Sequence, residues 1–176
     1  KIAYLPHCYQ SNNPDFIQTE QYVKRGYFNL PEDKFIFTHF NSDYKLDRKT
    51  WLVWLNILKK VPDSMLVFTV LTSTTEDIFI KQLMNDVQIM GININRVRYL
   101  SKEERYKHFN RLQLFDLGLD TFRVNGHTTN ADLVCAGIPF ITYTSETYHN
   151  RVAKSILNAL DLNDLVCHSF DEYTEK

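Results

Sequence analysis

Glycine, proline and cysteine are all scarce in this chain: five, five and three residues out of 176. Neither Gly-x-Gly-x-x-Gly nor Gly-x-x-x-x-Gly-Lys-Ser/Thr occurs. That excludes the usual dinucleotide fingerprint and the P-loop, both of which need glycine for close backbone approach to phosphate. The cysteines, Cys8, Cys135 and Cys167, are far apart, odd in number and outside any Cys-x-x-Cys pattern. They argue against a disulfide framework or a zinc site, and fit a reducing compartment, cytoplasmic or nucleocytoplasmic. No apolar run approaches the roughly 18 residues of a membrane span. Neither sign of charge dominates: 20 Lys and Arg stand against 21 Asp and Glu. The basic footprint of a nucleic-acid binder is therefore missing, and any anion must be gripped by a local arrangement of donors. No Asp-x-Asp occurs, so the usual carboxylate pair for a metal-bound nucleotide is lacking. No metal and no cofactor are expected.

What is present suits a packed core. Hydrophobic residues are 44% and aromatics 14% of the chain, and the length fits one domain or one lobe of a larger protein. Lys1-Ile2-Ala3-Tyr4-Leu5-Pro6 reads as a strand already in progress and not as a signal peptide, so a piece of a longer polypeptide is expected. Residues 7–32 are polar and read as a connection with one short helix. We expect a connecting segment and partial strand over 1–34, and the main lobe over 35–176.

From Pro31 on, the texture alternates. Phe35 to Phe40 is β-prone. Asp47 can cap a helix in which Trp51, Trp54, Leu55 and Leu58 share one face, with Pro62 as its stop. Strands are predicted at Met65–Leu71, Arg96–Leu100, Asp116–Asp120 and Ile138–Thr142. Helices are predicted at Glu76–Met90 with a cap at Gly91, after a Ser101/Glu104 capping box, at Thr128 to about Ala136, and at Asn150–Leu160. Five strands separated by helices give an α/β fold with a doubly wound parallel sheet. Ligands collect at the carboxyl ends of such strands, which directs attention to residues 41–47, 101–105 and 121–129.

The strongest motif is Asn125-Gly126-His127-Thr128-Thr129-Asn130-Ala131-Asp132, between the fourth strand and its helix. A helix amino terminus offers unpaired N–H groups and the positive end of its dipole, a seat for phosphate. Thr128 and Thr129 add hydroxyls, Gly126 permits close approach, and Asp132 lies one turn on, where a carboxylate could accept from ribose hydroxyls. The same residues also suit a plain helix cap and a favourably placed acid. Lys45, after the first core strand, is the best cation for a departing diphosphate, although a loop lysine is most often merely solvated. Arg105, His108 and Arg111 recur at i, i+3 and i+6 and share a face that could touch a nucleoside or could simply be wet.

The residues Phe40-Asn41, Tyr44-Lys45, Trp54, Ile57-Leu58 and Val61-Pro62-Asp63-Ser64 resemble the opening block of the catalytic region of protein O-GlcNAc transferases. Leu119-Asp120-Thr121, Asn125 to Thr129, Asp132, Ala136-Gly137, Pro139, Glu146-Thr147 and Arg151-Val152-Ala153 are similar to its central signature. The resemblance runs from about Pro31 to Val166. It implies the Rossmann-like carboxy-terminal lobe of a two-lobed (GT-B), metal-independent, inverting glycosyltransferase that moves N-acetylglucosamine from its UDP donor to Ser or Thr of acceptor proteins. An amino-terminal catalytic lobe and helical repeats of the same polypeptide would complete it.

Residue by residue, the resemblance implies that Lys45 stabilises the leaving diphosphate and that Thr128 and Thr129 hold phosphate with His127 beside them. Asp132 would bind ribose, His108 would stack on uracil, and the backbone at Glu103 would read the uracil edge. Arg105 stands where the family usually has a ribose-binding lysine, and Ser42 where a phosphate-contacting glutamine is common. The related plant-type protein O-fucosyltransferases tend to read Gly-Thr-Thr-Thr followed by glutamate; His127 and Asp132 favour UDP over GDP. A fucosyl or glucosyl donor, or a non-catalytic nucleotide-binding or docking module, are the alternatives.

Overall fold

A computed structural model describes residues 5–10, 23–69 and 76–176, the side chains of Glu76 and Asp77 excepted. Six parallel strands form one sheet in the order β3-β2-β1-β4-β5-β6: β1 Phe35–His39, β2 Ser64–Thr69, β3 Val97–Leu100, β4 Leu117–Leu119, β5 Phe140–Tyr143 and β6 Val166–Cys167. Helices α1 Arg48–Lys60, α2 Glu76–Ile89, α3 Arg105–Leu112, α4 Thr128–Cys135, α5 Val152–Ala159 and α6 Phe170–Glu175 cover both faces. The doubly wound parallel sheet is as expected, with one strand and one helix more than the sequence suggested. The expected opening strand lies mostly at residues 1–4, outside the described residues, as do 70–71 at the end of the second predicted strand.

Alternation along the strands builds two cores. Phe37, Leu66, Phe68 and Ile141 point to one face, where Trp51, Trp54, Leu55 and Leu58 of α1 meet Val87 of α2 and Tyr173 of α6. Ile36, Met65, Val67 and Phe140 point to the other, against Phe109 and Leu112 of α3, Leu133 of α4, and Ile156 and Leu157 of α5. Apolar side chains on both faces are what a buried parallel sheet requires. Trp51 and Trp54 are wholly buried; removing an indole of about 150–250 Å² from water contributes at most about 4–6 kcal/mol.

Local signals set several element ends. Asp47 caps α1 by accepting from Thr50 N at 3.0 Å. Gly91 closes α2 with φ +68°, the left-handed conformation that favours glycine. The expected capping box at Ser101 and Glu104 does not form. The helix begins only at Arg105, with Glu104 as an N-cap that makes no side-chain bond. The Arg111 guanidinium accounts for this, since Nη1 takes the Ser101 carbonyl at 2.7 Å and holds it outside the helix.

Residues 11–22 of the connection, where a short helix is expected somewhere over 7–32, lie outside the described residues; the described part forms a 3-10 turn at Arg25–Phe28. Arg25 pins it beneath the sheet by donating to the carbonyls of Leu114 and Lys34 and pairing with Asp116 at 2.8 Å. Asp116 in turn accepts from Ile36 N at 2.7 Å. Among the described residues no helix is long and apolar enough to cross a membrane.

Candidate functional site

The strand order reverses direction between β1 and β4: from β1 the chain moves outward through β2 and β3, then returns to place β4 on the other side. Such a switch point opens a crevice at the carboxyl ends of the two central strands. The loop after β1 carries Asn41 and a 3-10 turn ending in Lys45; the loop after β4 carries residues 120–127 and leads into α4. The two candidate segments, some eighty residues apart in sequence, meet here. Lys45 Nζ donates to the Asn125 carbonyl at 3.0 Å and reaches Asn41 Oδ1 at 3.5 Å. Burial pulls the ammonium's pKa below the ordinary lysine range, and the field of Asp120 opposes that pull.

Asp120, at the end of β4, is the buried anchor of this loop. Its carboxylate accepts from Gly126 N and from Thr142 Oγ1, each at 2.7 Å. Burial pushes its pKa up to about 6, against the opposing hydrogen bonds of Gly126, Thr142, Asn130 and Thr121. Gly126 has no room for a side chain, since a Cβ would sit 2.3 Å from Asn130 Oδ1 and 2.6 Å from Asn41 Nδ2. Asn125, also buried, donates Nδ2 to the Thr121 carbonyl at 2.9 Å and its N–H to the His149 carbonyl at 2.9 Å. The loop is thus held from beneath by the hydrogen bonds of Asp120 and of the Asn125 amide nitrogens, while Asn125 Oδ1 has no hydrogen-bond partner among the described residues.

His127 occupies the N-cap of α4 and makes no side-chain capping bond. Thr128 and Thr129, the first two helical residues, carry N–H groups that have no intrahelical partner. Thr128 is exposed and Thr129 half-buried. One turn on, Asp132 is nearly buried and lies 3.8 Å from the more exposed Arg105 guanidinium of α3. That ion pair joins two predicted ligand residues from different helices.

His108 and Arg111, predicted to share a face with Arg105, do so, and the face runs from the exposed Arg105 through the half-buried His108 to the buried Arg111. Arg111 is buried, donates Nε to His108 Nδ1 at 3.1 Å and stacks its guanidinium over Phe40 at 4.9 Å. His108 packs edge-on against Phe40 with ring centroids 5.0 Å apart. Burial, then the charges of Arg111 and Arg105, lower its pKa to about 4, so the ring is a neutral, flat surface at pH 7. Glu103 lines a cavity of about 710 Å³ with Tyr27, Phe28 and Tyr106. A second cavity, about 660 Å³, lies on the other flank of the β4–α4 loop, lined by Arg48, Arg123, His149 and Phe170 among others.

Two further residues belong to the site and come from the connecting segment. The Tyr9 phenol is 2.6 Å from His127 Nδ1, and Gln10 Nε2 reaches Thr128 Oγ1 at 3.5 Å. No periodicity marks them in a polar stretch. Asp120, by contrast, had a signal: an acid closing an otherwise apolar strand.

The chain is 36% identical over its whole length to a probable UDP-N-acetylglucosamine–peptide N-acetylglucosaminyltransferase, SEC, of Arabidopsis thaliana. It is 34% identical over 86% of its length to the UDP-N-acetylglucosamine–peptide N-acetylglucosaminyltransferase of Caenorhabditis elegans. It spans only 18% and 13% of those proteins. Among solved structures, a mutant of the O-GlcNAc transferase of Thermobaculum terrenum superposes with a TM-score of 0.76 at 24% identity, over 82% of this chain and 28% of that one. A UDP-GlcNAc 2-epimerase of Neisseria meningitidis superposes with a TM-score of 0.59 at 12% identity, over 86% of this chain and 36% of that one.

The fold defines the class: a Rossmann-like α/β lobe of the kind found in two-lobed (GT-B) glycosyltransferases. The chain belongs to glycosyl transferase family 41, whose profile it matches over residues 11–176.

Proposed function

We propose that this chain is the donor-binding lobe of a protein O-GlcNAc transferase, carrying UDP-N-acetylglucosamine for inverting transfer to Ser or Thr hydroxyls of proteins. The observation that carries the reading is the meeting of Lys45 with the Asn125–Thr129 loop at the switch point, 3.0 Å from Nζ to the Asn125 carbonyl. An ammonium and a helix tip in one crevice supply what a departing diphosphate needs. As the anomeric C–O bond breaks, negative charge builds on the β-phosphate. Lys45 and the N–H groups of Thr128 and Thr129 face it as preorganised donors that strengthen in the transition state.

Asp132, steadied by Arg105, would take the ribose hydroxyls, and the neutral His108 ring would lie against uracil. The backbone at Glu103 would read the uracil edge. Residues 35–176 form this lobe in our reading, and 1–34 its connection. Protein acceptors are separate partners, and an amino-terminal catalytic lobe with helical repeats would belong to the same, longer polypeptide, as the small share of each relative spanned by the chain supports. A cytoplasmic or nucleocytoplasmic address fits the cysteine usage.

Calorimetric titration of the chain with UDP and with GDP tests the proposal. We expect UDP to bind more tightly and Lys45→Met to weaken it. Tighter GDP binding, or no binding of either, would refute the donor assignment.

A further inference from the structure

Tyr9 approaches the candidate site from a segment that the chemistry above does not use. Its phenol oxygen lies 2.6 Å from Nδ1 of His127. The two rings stand edge-to-face at 6.0 Å, and Tyr148 closes the group at 6.1 Å from Tyr9 and 6.3 Å from His127. The other ring nitrogen, Nε2, is buried and has no hydrogen-bond partner among the described residues. His39 Nε2, Trp51 Nε1, Trp54 Nε1, Asn125 Oδ1 and Asn130 Nδ2 also lack a partner among the described residues; the His127 nitrogen differs in belonging to an imidazole at the ligand crevice, held from its other side by Tyr9, where a ligand atom can satisfy it.

The direction of the Tyr9–His127 bond depends on which ring nitrogen carries the proton. A neutral imidazole carries one proton, and the partner of one nitrogen decides which. Burial, then the charges of Lys45 and His149, lower the pKa of His127, so the ring is neutral at pH 7. A phenol donates its proton readily. If it donates to Nδ1, the imidazole proton must sit on Nε2, and the orphan becomes an N–H donor. The opposite tautomer would turn a lone pair into the crevice, where it would repel an ionised phosphate oxygen, which has no proton to offer.

We propose that Tyr9 is a positioning residue: its O–H donates to His127 Nδ1, locks the Nε2–H tautomer, and so presents a neutral N–H to an oxygen of the bound diphosphate-sugar beside Lys45. The ligand half of this statement rests on the donor-lobe reading above; the tautomer half does not. Tyr9 touches no reacting atom and acts only through His127. Its position before the main lobe makes the connecting segment part of the site.

Long-range proton–nitrogen correlation spectra of the ¹⁵N-labelled chain read the tautomer without any ligand. The wild type is expected to show His127 protonated at Nε2, and Tyr9→Phe, which keeps the ring and removes the hydroxyl, to show a mixture or the opposite tautomer. An amide spectrum otherwise superimposable on the wild type would establish that the variant folds. A wild-type ring protonated at Nδ1, or a Tyr9→Phe spectrum unchanged at His127, overturns the proposal. Added UDP should then shift the Nε2 resonance, and Tyr9→Phe should weaken UDP by about 2- to 10-fold. UDP that shifts other site resonances but not Nε2 overturns the donor role of His127. Failure of UDP to bind at all counts against the donor lobe, while the tautomer result stands by itself.

Discussion

Lys45 and Asn125 join the two halves of the sheet. The ammonium at the end of the loop after β1 donates at 3.0 Å to the carbonyl that precedes Gly126 in the loop after β4. Only a sheet wound both ways from its centre brings these residues together, because β1 and β4 become neighbours although two strands and three α-helices separate them in sequence. The contact also leaves the ammonium poised. Its pKa is lowered chiefly by burial, and an arriving diphosphate would favour the charged form.

In the full-length enzyme, Lys45→Met should lower turnover by about 10²- to 10³-fold with a much smaller effect on the Michaelis constant for the donor. The side chain keeps its length and loses only its charged donor. Steady-state kinetics on a peptide acceptor check this, and an unchanged kcat would remove Lys45 from the chemistry.

Gly126→Ala should damage both stability and nucleotide binding. Its Cβ would fall 2.3 Å from Asn130 Oδ1 and 2.6 Å from Asn41 Nδ2, both on buried side chains. Overpacking of this kind costs about 1–3 kcal/mol. A lowered denaturant midpoint, together with weakened UDP in calorimetry, is the expected result.

Arg111→Met tests the support behind His108. The guanidinium bonds the Ser101 carbonyl and His108 Nδ1, so its removal leaves two acceptors without this donor in a partly buried setting. We expect about 2–4 kcal/mol of lost stability. UDP affinity should fall as well, because His108 then loses its fixed orientation. Urea unfolding and UDP titration of the same variant separate the two effects.

Stability should fall as the solution is acidified from about pH 6.5 to 4. Burial lowers the pKa values of both His39 and His108 to about 4. Each ring therefore binds a proton more readily unfolded than folded, and its contribution is present above the unfolded value and lost as pH falls through the folded one. Asp120 opposes them. Burial raises its folded value to about 6, so its contribution is present below the unfolded value and fades as pH rises through about 6. Two rings against one carboxyl leave net acid destabilisation. Urea midpoints across this range check it, and His39→Phe should flatten the slope.

Much of the fold was legible because its signals are local. The cap at Asp47, the spacing of Trp51, Trp54, Leu55 and Leu58, and the glycine at 91 each act within a turn or two of chain. The last elements were missed although a signal was present: Ser169 Oγ accepts from Glu172 N, and Glu172 Oε2 accepts from His168 N. A two-residue strand and a six-residue helix carry too little periodicity to stand out. They form because β5 offers an edge to Val166–Cys167, and because Tyr173 finds a buried seat beneath Asp120, bonding its carbonyl at 3.2 Å. The capping box at Ser101 failed for the converse reason. A plausible local signal lost to Arg111, ten residues on, whose buried guanidinium needed that carbonyl.

By itself the sequence determined the alternation of strands and helices, the two-faced core, and the family to which the Asn125–Asp132 motif belongs. These follow from hydrophobic period, caps and a short contiguous motif. Only the tertiary structure decided that Lys45 meets Asn125, that Arg105 pairs with Asp132, and that Tyr9 rests on His127. Such contacts join segments that are distant along the chain. They depend on strand order and on which buried polar groups must find partners, and neither is written in any local run of residues.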